Sequence, residues 1–355
     1  MEKKKVIALI GCGRIVKNQH LPNLAKQENV RVKYACDVFV DKAKLFQEEF
    51  PIIENVTADY HDALNDSEVD AVFIATPNNL HYDIAMEALK TGKHVFCEKP
   101  IAVNYELACE MAEEANRRGL MLNIGVCNRH HKSVEMLQQM NAEGKFGNIY
   151  HVYCSFRSFR SIPGLGGAFT NKAKSGGGVL IDWGIHFFDL ILYILGGAKL
   201  QNVTCDAYCE MAKDMKSYRY KSMWAEDTAN IENGVNDVDD FISGYIRTDK
   251  ASISFNGAWA QNVAKPEMFI DILGDKCGAR LKYGGKFEFF DGETLETIEP
   301  EYEIPSMFLQ EQKAFFEAID TGIKSRAHID YVLESAKLID ALYASAAEKQ
   351  EVKLV

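Results

Sequence analysis

Along the first 125 residues, short apolar runs alternate with stretches in which apolar residues recur every three or four positions. Val6–Ile10, Val32–Cys36, Val69–Ala75, His94–Cys97 and Leu122–Gly125 have the length and continuous apolar character of strands buried on both faces. Between them, Leu21–Glu28, Lys42–Phe50, Leu80–Thr91 and Tyr105–Arg118 carry helical periodicity. Strand and helix in strict alternation predict a parallel α/β sheet. From about Gly147 the texture changes. Ile149–Phe159, Val203–Glu210, Asp240–Arg247, Ala251–Ala260, Met268–Leu273 and Lys286–Phe290 follow one another with few helices, which predicts an α+β domain with a large, mostly antiparallel open sheet. The tail returns to helix over Met307–Ile319 and Tyr331–Ala347.

The 355 residues include 40 basic and 51 acidic side chains, a formal charge of −11. That sign argues against a nucleic-acid or anionic-membrane partner and leaves a small, uncharged or mildly polar ligand as the natural one. Nine cysteines, odd in number, scattered and without a CxxC pair, read as a reducing, cytoplasmic setting. The run Val6–Ile10 is too short for a signal peptide. The longest apolar stretch, Val179–Gly197, contains Asp182, His186 and Asp189, which a membrane span would tolerate only at a cost of several kcal/mol. It reads as a buried helix.

Chemistry enters at Gly11-Cys12-Gly13-Arg14-Ile15-Val16, between the first strand and the first helix. Glycines at such a turn let backbone amides approach a pyrophosphate at a helix N-terminus. The third glycine of the dinucleotide pattern is replaced by Val16, a position that governs packing rather than phosphate contact. Asp37 follows the second strand, 24 residues after Gly13, where a carboxylate would accept from the ribose hydroxyls of an adenosine. With Val38, Phe39 and Val40 in place of a basic residue, NAD is expected rather than NADP. Residues 1–128 therefore read as a Rossmann NAD-binding domain and 129–330 as an α+β domain for substrate binding. Residues 331–355 read as a helix packing back on the first domain. Thr76, Pro77, Asn79 and His81 lie where the crevice of an open parallel sheet forms, as does Glu98-Lys99-Pro100 at the next strand end.

With the glycine turn, Thr76-Pro77 followed by His81, Glu98-Lys99-Pro100 and the later Asp182-x-x-x-His186, the sequence resembles the oxidoreductase family that includes glucose-fructose oxidoreductase and myo-inositol dehydrogenase (Gfo/Idh/MocA). The resemblance implies a cis Lys99–Pro100 peptide. It also implies substrate binding and acid/base chemistry by Lys99, Asp182 and His186, and burial of the open sheet face by homo-oligomerisation, with Phe241, Tyr245, Phe255 and Trp259 as contributors. Read as chemistry, His186 suits a general base, Lys99 an electrostatic partner for a developing alkoxide, and Asp182 an orienter of the substrate hydroxyl. On a regular helix Asp182, His186, Asp189 and Tyr193 would share one face. The cofactor side is expected to comprise Gly11, Gly13, Arg14, Ile15, Asp37, Thr76, Pro77, Asn79, His81, Glu98, Lys99 and Asn128.

Ser161–Gly178 has six glycines in eighteen residues and reads as a lid over the site. Arg129, Arg157, Phe169 and Lys172 are its expected substrate contacts, making a locally positive cleft in a negative chain. The charged and aromatic connection 206–238 reads as an insertion over a neighbour's site or a subunit contact. No histidine has metal-ligand spacing, so no metal is expected. The function expected is hydride transfer between NAD and a ring secondary hydroxyl of a sugar, glycoside or cyclic polyol, with oxidation at carbon 3 of a glycoside as one form. The alternatives are an NAD-dependent glycosidase working by oxidation, elimination and reduction, and a non-catalytic NAD-binding sensor or co-repressor.

Overall fold

The computed structural model describes residues 4–354. The chain forms two compact units, one running up to Cys127 and including Pro305–Leu333, the other comprising Asn128–Ile304 and the chain from Glu334 onward.

In the first unit, β1 (Lys5–Ile10), β2 (Val30–Cys36), β3 (Ile53–Thr57), β4 (Ala71–Ile74), β5 (His94–Cys97) and β6 (Leu122–Ile124) pair in parallel in the order β3-β2-β1-β4-β5-β6. The order reverses at β1, so the loops leaving β1 and β4 part and open a crevice at the carboxyl ends of the strands. Ile7, Ala8 and Leu9 of β1 and Ala71 and Val72 of β4 have no solvent exposure, as strands covered on both faces require. The sequence pattern missed β3, an edge strand in which only Ile53 is buried. Helix Tyr105–Arg118 begins where the Asn104 side chain accepts from Leu107 N at 2.9 Å and ends at Gly119 with φ +66°, an acceptor at one end and a left-handed glycine at the other.

The tail departs from expectation. Helix Met307–Thr321 belongs to the first unit, and its Phe315 and Phe316 join the core cluster of Leu9, Phe73 and Phe96, each ring contributing about 2 kcal/mol by burial. Helix Leu333–Glu348, expected on the first domain, instead places Leu338, Ile339 and Leu342 in the core of the second unit.

The second unit is built on β7 (Ile149–Arg157), β8 (Leu200–Tyr208), β9 (Phe241–Thr248), β10 (Ser252–Ala258), β11 (Glu267–Gly274), β12 (Cys277–Lys282), β13 (Phe287–Asp291), β14 (Thr297–Ile298) and β15 (Val352–Lys353). Their order is β14-β13-β12-β11-β7-β10-β9-β8-β15, antiparallel except for β7 with β10. Helix Ile185–Ile194 covers one face. Phe187 stacks on Phe156 of β7 at 4.7 Å, and Phe188 meets Phe255 of β10 edge-on at 4.9 Å. Because side chains alternate along a strand, the residues flanking Phe156 and Phe255 face the other way. That outer face carries His151, Tyr153, Ser155, Arg157, Ser252, Ser254 and Asn256, cross-linked by polar contacts such as His151 Nδ1 to Ser252 Oγ at 2.7 Å. Phe255 and Trp259, expected there, are buried, Phe255 on the helix side. Phe241 and Tyr245 do lie on the outer face, half-buried. The apolar stretch from Val179 is a core helix, with Val179, Leu180, Phe188 and Ile194 buried.

Candidate active site

At the end of β1 the chain turns sharply through Gly11, whose φ is +99° and whose place a Cβ could not share, since it would lie 2.5 Å from Ala75 O. Gly13 and Arg14 are exposed just beyond, Ile15 is half-buried, and a π-helical turn follows over Val16–His20. Val16 is fully buried, filling the packing role that a third glycine would otherwise have. Asp37 does more than stand at the end of β2. One carboxylate oxygen accepts from Cys12 N at 3.0 Å and the other from Phe39 N at 2.9 Å, so it also braces the glycine turn. Burial and the Asp37 charge push the Cys12 thiol up to about 12, so it stays protonated and inert.

Two strand ends along, Thr76 Oγ1 is buried with no hydrogen-bond partner among the described residues, and Pro77 and Asn79 are exposed. His81, expected to meet the cofactor, has both ring nitrogens engaged by backbone carbonyls. It is 1% exposed, with Nδ1 2.8 Å from Pro100 O and Nε2 3.0 Å from Thr76 O. It ties the two strand-end turns together, and burial favours its neutral form. The Lys99–Pro100 peptide is cis. Glu98 is held from beneath: His20 Nε2 lies 2.7 Å from its Oε1, and His20 Nδ1 is in turn 3.2 Å from Gln312 Nε2. Gln312, from the helix returned by the tail, had no signal in the sequence. Its neighbour Glu311 is fully buried, and desolvation, with the Glu98 charge, keeps its carboxyl protonated well above the usual range. An exposed glycine turn, a carboxylate beyond β2 and an orphaned hydroxyl on the same sheet edge fit a dinucleotide.

The second unit holds Asp182 and His186. Gly176-Gly177-Gly178 leads into a π-helical turn, Leu180–Gly184, which passes into helix Ile185–Ile194. Such turns recur at functional sites, and this one widens the spacing between Asp182 and the helix proper. Asp182 is buried at 8% exposure. The Asn128 amide nitrogen lies 3.2 Å from His186 Nδ1 and donates to Tyr283 Oη at 3.0 Å, while the Tyr283 ring stacks on Phe187 at 4.5 Å. Asn128, expected on the cofactor side, thus orients the His186 ring. Tyr283, in the turn after β12, was not anticipated, because that strand's own residues, Gly278 and Arg280 among them, masked its position.

Arg129 and Arg157, expected as substrate contacts, are both paired with carboxylates. Arg129 is 2% exposed and meets Asp189 with two bonds, Nε to Oδ2 at 2.8 Å and a terminal nitrogen to Oδ1 at 2.7 Å, with Ser335 donating to the same carboxylate at 2.8 Å. A guanidinium held this way braces the helix rather than meeting a substrate. Asp189 is thereby removed from the shared face. Arg157 lies on the sheet face opposite the His186 helix and pairs with Glu267. Lys172 is exposed at the start of a short helix, and its backbone N is bound by Asp237 at 2.7 Å. Nor is the glycine-rich loop an open lid. Ile162, Leu165 and Thr170 have no exposure, Phe169 meets Trp224 edge-on at 4.6 Å, and the connection 206–238 packs on it within the same unit through Asn230 N to Leu165 O at 2.9 Å.

Comparison with known proteins identifies the family. Residues 5–126 match the family described as "Oxidoreductase family, NAD-binding Rossmann fold", and residues 134–280 match the GFO/IDH/MocA C-terminal domain. The chain is 27% identical to D-glucoside 3-dehydrogenase of Escherichia coli (strain K12) over 350 residues, 98% of this chain and 97% of that protein. It is 30% identical to a putative UDP-kanosamine synthase oxidoreductase subunit of Amycolatopsis mediterranei (strain S699), over 78% of this chain and 74% of that one. In fold it is similar to levoglucosan dehydrogenase in complex with NADH and levoglucosan, with a TM-score of 0.84 at 21% identity, covering 99% of both chains. Since the two family matches take in both units, the chain belongs to the GFO/IDH/MocA family of NAD-binding oxidoreductases.

Proposed function

We propose that the protein oxidises a ring secondary hydroxyl of a sugar or glycoside, with carbon 3 of a glucoside as the preferred position. The observation that carries this reading is His186 with its Nδ1 engaged by Asn128, beside a buried Asp182. It is supported by likeness to a glucoside 3-dehydrogenase along nearly the whole chain. NAD, when bound, accepts the hydride; Gly11, Gly13, Arg14, Ile15, Asp37 and Thr76 would hold it, with Glu98 and Lys99 at the nicotinamide end. His186 takes the hydroxyl proton, its ring held in place by the Asn128 amide nitrogen 3.2 Å from Nδ1. Lys99 stabilises the developing alkoxide with its ammonium, and Asp182 accepts from an adjacent hydroxyl to fix the ring. We further assign the outer face of the second sheet to contact with another copy, and the unpaired cysteines to a reducing cytosol.

The test is NADH absorbance over methyl glucosides, glucose, galactose and inositols, with the product identified. A 3-keto-glycoside and a loss of about 100-fold or more in kcat for Lys99→Ala and His186→Ala are expected. Release of free aglycone without net NADH would establish the glycosidase alternative. NAD binding with no turnover on any substrate would establish the sensor.

A further inference from the structure

The turn that presents Asp182 begins with no acceptor of its own. The first N–H groups of any helix lack intrahelical partners, and here two residues remote in sequence satisfy every one of them. Asp239, just before β9, accepts from Gly178 N through Oδ1 at 2.8 Å and from Leu180 N through Oδ2 at 2.8 Å. Its backbone oxygen accepts from Val179 N at 2.9 Å. Tyr343, on helix Leu333–Glu348, donates its hydroxyl to Asp239 Oδ1 at 2.9 Å and accepts from Gly178 N at 3.1 Å and Ile181 N at 3.3 Å. One donor and two lone pairs are thus all used. Burial pushes the Tyr343 phenol far above its usual range, so the proton stays to make that donation. Asp182 N then makes the first intrahelical bond, to Gly178 O at 3.0 Å.

The clamp is seated tightly. A Cβ on Gly177 would lie 2.0 Å from Tyr343 Oη, and one on Gly178 would lie 1.9 Å from Asp239 O, so both glycines are required by the approach of these two residues. Where the helix begins decides the rotational phase of everything after it. We infer that Asp239 and Tyr343 are positioning residues, fixing the phase of the wide turn so that Asp182 and His186 meet the same sugar. This rests on the catalytic reading of those two side chains given above.

The experiment compares Tyr343→Phe and Asp239→Asn with His186→Ala in the full-length protein, measuring kcat and KM for the glycoside, the dissociation constant of NADH and the melting temperature. Tyr343→Phe removes a single oxygen. It is expected to lower kcat by about 10- to 100-fold, the order of loss for a displacement near 1 Å, while KM and NADH affinity change by less than about threefold. If Asp239→Asn fails to fold, Tyr343→Phe alone decides. A lowered melting temperature with kcat unchanged per folded molecule would overturn the inference and leave the clamp a structural cap. Unchanged kcat in His186→Ala would instead overturn the catalytic reading on which it depends.

Discussion

A methyl group at Gly13 would come no closer to anything than 3.9 Å, from the Ala75 carbonyl, whereas at Gly178 it would stand 1.9 Å from Asp239 O. The same residue type, present in both units, meets two physical demands. At Gly13 the missing side chain leaves backbone uncovered at a strand end, where a phosphate needs to approach, although its neighbour Gly11 is packed within 2.5 Å of Ala75 O. In the second unit, Gly166, Gly167 and Gly178 have their missing side chains replaced by the backbone of Asn230, Thr228 and Asp239, each within 2.2 Å of where a Cβ would be. Glycine content alone cannot separate a ligand cradle from a close-packed backbone. What lies opposite each glycine does.

The largest effect that would break this comparison is at the packed position. Gly178→Ala should destabilise the second unit by more than about 4 kcal/mol, since the clash is with backbone that cannot turn aside, and a thermal melt near wild type would refute the packing account. The two units should also respond oppositely to acid. His328 of the first unit is fully buried, and that burial pulls its ring down to about 4. The unfolded chain then binds the proton first, so this contribution is complete above about pH 6.5 and is lost as the pH falls through about 4. Asp240 of the second unit is 2% exposed, and burial raises its carboxyl to about 6. There the folded chain holds the proton, so the contribution is complete below about pH 3.8 and is lost as the pH rises through about 6. Each amounts to about 3 kcal/mol. Between about pH 4 and 6.5, His328→Gln should remove a rise of stability with pH and Asp240→Asn a fall over the same range, read from melting curves; variants whose curves run parallel to wild type would contradict both assignments. Smallest in stability and sharpest in meaning is Gly13→Ala. It should change stability by less than about 0.5 kcal/mol while weakening NADH binding about tenfold or more by fluorescence titration, because the methyl enters the space the pyrophosphate needs. Unchanged affinity would separate this turn from the cofactor.

How legible each half was in the sequence follows from the same contrast. The parallel sheet could be read because β1, β4 and β5 are continuous apolar runs, and the motifs at their ends sit where strand order alone places a crevice. The edge strand β3 could not, since Glu54 and Asn55 face solvent and leave no periodic signal. In the second unit, Asp182 and His186 were readable as polar residues inside an apolar helix. Their supports were not. Asp239 and Tyr343 reach the turn, and Asn128 and Tyr283 the start of the helix after it, from four separate places in the chain, and no local spacing announces such a meeting. The arginines misled for the converse reason: a sequence shows charge but not the carboxylate, Asp189 or Glu267, that neutralises it. His81 misled likewise, since nothing local reveals that two backbone carbonyls engage its ring.

The path of the chain between the units carries a consequence for how the protein is made. The first unit is interrupted after Cys127 and resumes only at Pro305–Leu333, bringing Phe315, Phe316 and the Gln312 that supports His20. On the ribosome the nucleotide half therefore emerges early but stays unfinished until most of the second unit has been synthesised. During that interval the sheet surface awaiting those two rings is open to other nascent chains or to a chaperone. The order of translation, rather than the order of the domains, decides which unit closes first.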